Sequence, residues 1–157
     1  MKLHIKNSIT TFLTTIFVCT LLIFSSCGNY DETEITMYYT DSIPKLKVFY
    51  KYYGNEKVIT KEIRYYPNQQ ILSEGRFNEN YKKTGKWIYY FENRKKQRIE
   101  NFENGIKNGK YIEYYKSGKK MFSGSFLNGL PDGKWKIWNE KGILTSTMEY
   151  NKGEIVE

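Results

Sequence analysis

The chain has little of what most catalytic and metal chemistry requires: among 157 residues there is one histidine, His4, and there are two cysteines, Cys19 and Cys27. His4 and Cys19 both belong to an N-terminal segment that reads as a secretory signal. Lys2, His4 and Lys6 form its basic start, residues 9–24 its apolar core, and Ser25-Ser26 its small residues at the cut. Removing residues 1–26 leaves no histidine and a single cysteine, Cys27. Ser-His-Asp and Cys-His nucleophile arrangements then cannot be built, Cys/His zinc sites lack ligands, and no disulfide can close. Carboxylate pairs of the glycosidase kind stay formally open. Most acidic residues, however, sit beside lysines or in turns, with no local pattern that would desolvate one of them. The expectation is a non-enzymatic protein with no catalytic residues, no metal and no cofactor.

Long hydrophobic runs are scarce too. The one such run, residues 9–24, falls short of the roughly 20 apolar residues that a comfortable membrane span needs. It closes on Leu21-Leu22-Ile23-Phe24-Ser25-Ser26-Cys27 and turns polar at once. A cysteine directly after two small residues resembles the lipobox of bacterial lipoproteins, with Phe24 where that motif usually carries Leu or another aliphatic. The resemblance implies acylation of the Cys27 thiol, cleavage just before it, and a chain held at a membrane by lipid. Two or three acyl chains anchor stably, whereas one, at about 0.8 kcal/mol per buried CH₂, binds only marginally. Cys19 is a poorer candidate because branched Val18 precedes it. The other reading of Cys27 is a free thiol after an ordinary signal or an uncleaved anchor. Asp31, Glu32 and Glu34 follow, and such a cluster resembles the surface-export signal of lipoproteins in Bacteroidetes-type bacteria; a plain solvated acidic linker is its alternative. The expected address is the cell envelope, as an outer-membrane lipoprotein.

What the chain does have is positive charge and rings. Without Lys2 and Lys6 there remain 23 basic against 17 acidic side chains, a balance of +6 that favours anionic partners without specifying a fold. Aromatic residues make up 17% of the chain, with 15 Tyr, 9 Phe and 3 Trp, and so many rings beside so few Leu or Ala point to β-structure.

Those rings recur. Gly85-Lys86-Trp87, Gly109-Lys110-Tyr111 and Gly133-Lys134-Trp135 step by 24 residues, and Phe77, Phe102, Phe126 and Tyr150 step by 25, 24 and 24. Each unit reads as two strands and two turns. One turn lies at Pro67-Asn68-Gln69, Glu92-Asn93-Arg94, Lys116-Ser117-Gly118 and Glu140-Lys141-Gly142, where Asn and Gly are expected to supply the positive φ of two-residue hairpin loops. The other lies at Asn104-Gly105 and Asn128-Gly129, with Asn80 in the glycine place of the earliest copy. Thr60, Asn80, Glu100 and Met148 break the pattern; Glu100 and Met148 stand in a column otherwise held by Gly75 and Gly124.

The tandem turn, best seen in Tyr115-Lys116-Ser117-Gly118-Lys119, and the Asn-Gly-x-x-x-Gly-Lys-(Trp/Tyr) junctions from Asn104 to Tyr111 and Asn128 to Trp135 resemble the MORN-repeat variant family, whose members include bacterial YwqK-type antitoxins. That resemblance covers residues 60–157. It implies an all-β fold in which tandem 24-residue hairpin repeats form an elongated, twisted antiparallel sheet, and it says almost nothing about activity. The expected organisation is a signal helix over 1–26, a flexible linker over 27–44, a capping hairpin over 45–59 and four repeats over 60–157.

Strand alternation puts rings on both faces of the first strand of each unit, and one thin sheet has only one good interior. Trp87, Tyr111 and Trp135 are therefore expected in the packing between hairpins, and Tyr89, Tyr114 and Trp138 on a possible binding face, beside Lys86, Lys110 and Lys134. Gly85, Gly109, Gly133, Gly105 and Gly129 are the structural glycines. The expected role is a membrane-anchored binding or scaffolding module for another macromolecule, with a protein as first partner. An envelope polysaccharide or a neutralised toxin is the alternative, and nucleic acid conflicts with the envelope address. Replacement of the lipid-bearing residue, Cys27→Ser, should abolish acylation and leave an uncleaved precursor, because the cut before this residue requires lipid on its sulfur. Metabolic labelling with a fatty acid checks it, and label entering the Ser variant would refute the lipobox.

Overall fold

The computed structural model describes residues 32–40 and 42–156; the signal segment, Cys27 and the start of the linker lie outside the described residues. Twelve strands follow one another: β1 Glu32–Thr40, β2 Ile43–Tyr53, β3 Glu56–Tyr65, β4 Ile71–Phe77, β5 Lys83–Tyr90, β6 Lys96–Glu103, β7 Ile106–Lys107, β8 Gly109–Tyr114, β9 Lys120–Leu127, β10 Leu130–Trp138, β11 Leu144–Asn151 and β12 Glu154–Val156. They form one open antiparallel sheet in chain order, with β7 paired to β6 beside β8. The fold is all-β, and there is no helix among the described residues.

Two expected boundaries are corrected. The linker read over 27–44 gives way to β1, which pairs with β2 from Glu32↔Tyr50 to Thr40↔Ile43. Low apolar content concealed this strand because polar contacts hold it: Tyr50 donates to the Glu32 carboxylate at 3.1 Å, Lys57 pairs with Glu34, and the Tyr39 hydroxyl donates to the Tyr65 carbonyl at 2.9 Å. Nor does a boundary fall between 59 and 60. The hairpin of β2 and β3 runs on to Tyr65, and Thr60 sits at a bulge within β3, its hydroxyl donating to the Phe49 carbonyl at 3.2 Å.

The turns follow two patterns. At one end of the strands, three-residue loops close on bonds such as Tyr115 N–H to Lys119 O (2.9 Å) and Gly118 N–H to Tyr115 O (2.8 Å), repeated from Tyr66, Phe91 and Asn139. Their left-handed residue is Gln69, Arg94, Gly118 or Gly142, so these are not two-residue loops and Asn68 and Asn93 do not carry the positive φ. Both asparagines instead use their side chains, accepting the N–H of Gln70 and Lys95. At the other end, Asn104-Gly105 and Asn128-Gly129 make two-residue loops with both residues left-handed. The Asn78 turn has one residue more, and Tyr81, not Asn80, takes the positive φ of 54°. That extra residue accounts for the step of 25 between Phe77 and Phe102.

Between these ends lies a recurring bulge. Arg76↔Thr84 and Glu74↔Ile88 are both in register, so Gly85-Lys86-Trp87 stand opposite the single residue Gly75. Likewise Gly133-Lys134-Trp135 oppose Gly124, between Asp132↔Ser125 and Lys136↔Ser123. Around Gly109-Lys110-Tyr111 the same count faces Glu100, between the Asn108 N–H to Asn101 O bond and Ile99↔Ile112. Positive φ at Gly85, Gly109 and Gly133 (63°, 98° and 69°) turns the chain into each bulge, which a side chain there would strain. The ring two residues on is then laid across the neighbouring strand. A Cβ on Gly75 would lie 2.1 Å from the Trp87 indole, and one on Gly124 would lie 2.3 Å from that of Trp135. Each indole N–H donates to the carbonyl just past its glycine, Trp87 to Arg76 and Trp135 to Ser125. Trp87 is 1% exposed, and burying roughly 200 Å² of ring at about 25 cal/mol per Å² contributes about 5 kcal/mol before ordering costs.

Gly124→Ala should lower stability by about 1–3 kcal/mol, because the new methyl must push the Trp135 indole off the sheet. Chemical denaturation checks it, with Gly54→Ala as the comparison in which backbone strain acts without a clash, since nothing lies within 4 Å of a Cβ there. Equal losses in the two variants would count against the ring-over-glycine contact.

Candidate binding face

Strand alternation divides the side chains into two sets. The face carrying the indoles is packed: Trp87 meets Phe77 edge-on at 5.2 Å and Phe102 at 6.3 Å, while Trp135 meets Phe126 at 5.1 Å and Tyr150 at 6.1 Å. Tyr111 lies 5.5 Å from both Phe126 and Trp135. Burial and a hydrogen bond to Glu113 push the Tyr111 hydroxyl far above its ordinary pKa. Two carboxylates are buried on this face, and each has cationic partners: Glu62 takes two bonds from Arg64, and Glu100 lies 2.8 Å from Lys107 and 3.4 Å from Arg98. Lys83 sits over the Trp87 ring at 4.0 Å.

Tyr89 belongs to this packed face. Its ring lies 6.5 Å from that of Trp87, the Arg98 guanidinium covers it at 4.3 Å, and Lys83 donates to its hydroxyl at 3.0 Å. The expected trio of Tyr89, Tyr114 and Trp138 is therefore not one surface: alternation along β8 and β10 puts Tyr114 and Trp138 on the opposite side from Tyr111 and Trp135. All three are half-buried.

On that opposite side, three strands present the same Lys-Ile-Tyr set and a fourth presents Lys-Lys-Trp. Lys61, Ile63 and Tyr65 lie on β3, Lys86, Ile88 and Tyr90 on β5, Lys110, Ile112 and Tyr114 on β8, and Lys134, Lys136 and Trp138 on β10. Tyr90 thus replaces Tyr89 in the ring row. Cross-strand partners fill the gaps: Lys96 pairs with Tyr90 and Lys120 with Tyr114. The row reads Tyr90, Lys96, Tyr114, Lys120, Trp138 across β5, β6, β8, β9 and β10, at about 4.8 Å per strand. A parallel row contains Lys86, Asn101, Lys110, Ser125, Lys134 and Glu149. Hydroxyls near the turns fasten neighbouring hairpins, Tyr66 donating to the Tyr90 carbonyl at 2.9 Å and Tyr115 to that of Trp138 at 2.8 Å.

Lys61 and Glu74 form an ion pair at 3.0 Å, and Tyr90 donates to the same carboxylate at 3.0 Å. Burial, then the Glu74 bond, push the Tyr90 hydroxyl up to about 12. For Glu74 burial acts upward, but the bonds from Lys61 and Tyr90 outweigh it and hold the carboxyl below its usual value. No group of His, Cys, Asp and Glu able to hold a metal ion occurs among the described residues.

Compared with models of known protein families, the chain matches none, and no curated protein matches it.

A carboxyl whose pKa is lowered by folding contributes stability above its unfolded value, and that contribution is lost as pH falls through the folded value. Glu74→Gln should therefore destabilise the fold at neutral pH and flatten the fall of its thermal midpoint across the acidic range. Melts from pH 7 to about pH 3 check this; parallel curves for parent and variant would show that Glu74 is not held by Lys61 and Tyr90.

Proposed function

We propose that this chain is a lipid-anchored, non-enzymatic binding module of the cell envelope, built from MORN-like units of 24 residues and engaging another macromolecule across several units at once. The observation that carries the reading is the ring and lysine row on the open face. Rings two strands apart are chemically equivalent, so a ligand that fits one unit fits the next. The bulges at Gly85, Gly109 and Gly133 support a 24-residue unit, since each returns the strand to register after the same three residues. The anchor at Cys27 and the outer-membrane address rest on the lipobox and acidic-cluster resemblances. A protein stood first among the partners expected from sequence; the geometry favours any extended polymer with a repeating surface.

Tyr114→Ala combined with Trp138→Ala should reduce capture of an envelope macromolecule by the intact chain far more than either change alone. Tyr89→Ala, on the packed face, should instead lower the melting midpoint while leaving capture per folded molecule unchanged. Circular dichroism melts beside the capture assay separate the two. A double variant whose lost capture is fully explained by its unfolded fraction would sink the open-face reading.

A further inference from the structure

We infer that the row Tyr90, Lys96, Tyr114, Lys120 and Trp138 is a track for a linear, uronic-acid-bearing polysaccharide. The inference rests on the binding-module reading and names its partner class. Every position of the row alternates an amphipathic ring with a cation, and a chain of acidic sugars offers the matching alternation: apolar C–H faces that stack on rings, and carboxylates that pair with ammonium groups. Tyr90, Tyr114 and Trp138 lie two strands apart, about 9.5 Å in the hydrogen-bonding direction, a distance of the order of a disaccharide step in an extended pyranose chain. Among the described residues neither Lys96 nor Lys120 forms an ion pair, and both are exposed. At the end of the row a shallow depression is lined by Trp138 with Lys119, Lys120 and Lys141, and the Lys120 ammonium lies 5.7 Å from the centre of the indole. The acids nearby are already engaged or peripheral: Glu74 is held by Lys61 and Tyr90, and Glu92 and Glu140 sit in the adjoining turns.

Sheet twist separates this ligand from a membrane surface. At the average rotation of roughly 20–25° between neighbouring strands, rings four strand steps apart, such as Tyr90 and Trp138, would face directions that differ by roughly 80–100°. With that twist a flat bilayer would not touch both. A polysaccharide can follow the row, because each glycosidic linkage rotates.

The test measures binding of the intact chain, held in neutral detergent, to polygalacturonate, to uncharged dextran and to phosphatidylglycerol vesicles. Salt-sensitive binding to polygalacturonate is expected, with none to dextran. Lys96→Gln with Lys120→Gln should weaken it about tenfold or more, and Tyr114→Ala should weaken it without changing its salt dependence. Lys82→Gln with Lys152→Gln removes the same charge from turns at the far end of the strands and should change affinity less than threefold. Equal weakening by the two lysine pairs would overturn the proposal in favour of net charge alone, as would vesicle binding lost through Lys96 and Lys120 without polygalacturonate binding. If polygalacturonate is not bound while Tyr114→Ala with Trp138→Ala still abolishes envelope capture, the polysaccharide is refuted and the binding module stands. Melting curves for each variant confirm that the compared proteins are folded.

Discussion

An indole lying flat on a glycine is the contact on which the rest of this sheet depends. A single layer of strands has no second layer to bury its rings against, so its interior must be made within one face. The Gly85 and Gly133 bulges solve this by tipping Trp87 and Trp135 over the neighbouring strand, and Gly75 and Gly124 leave the floor flat enough to receive them. The pairing of bulge and floor extends to the exception. Where the floor residue is Glu100, the ring is Tyr111, which has no N–H to reach the neighbouring carbonyl and bonds Glu113 instead. Glu100 then needs Lys107 and Arg98, because a buried carboxylate without cations would be far more costly than the lost ring contact.

The indoles fill one face, and the other buries less, its core contribution resting on Ile112, 6% exposed between Ile99 and Ser123. Lysines at every second strand would be destabilising if like charges faced each other directly, and for three of them the register prevents it: Lys86 meets Asn101, Lys110 meets Ser125 and Lys134 meets Glu149, whereas Lys61 meets Arg76 and is offset by its ion pair with Glu74. The ring row uses the same device in another form, with each lysine set between rings. Positive charge is thereby spread over the open face at an interval fixed by backbone hydrogen bonds and independent of side-chain rotamers.

The repeated glycines and rings made the all-β hairpin architecture legible in the sequence. Two things were not legible, each for a physical reason, and a third is legible in the step of 24. Strand β1 lacks an apolar alternation because ion pairs and hydroxyl bonds hold it, so it read as a spacer. The left-handed turn residues were assigned by type, yet Arg94, Gln69 and Tyr81 adopt that conformation where loop length demands it, a strain of roughly 1–2 kcal/mol that the flanking strands absorb. Tyr89 was grouped with Tyr114 and Trp138 although counting back 24 residues from Tyr114 arrives at Tyr90. With a side-chain period of two, that difference of one residue puts Tyr89 on the opposite face from Tyr114 and Trp138.

A surface that binds in the proposed way would work by number. One exposed cation or ring contributes on the order of 0.5–1 kcal/mol, too little for recognition, and no enclosed pocket is needed when the contact repeats. Under the proposed binding role, once a first unit is engaged the next would meet a ligand segment already held nearby, so each added strand pair would raise affinity without paying the association cost again. The same logic explains why the repeat tolerates Phe91 at a position where Tyr66 and Tyr115 each donate to the next hairpin's carbonyl. Losing one fastening weakens one step of the array, while the interval between neighbouring rings, set by strand pairing, stays as it was.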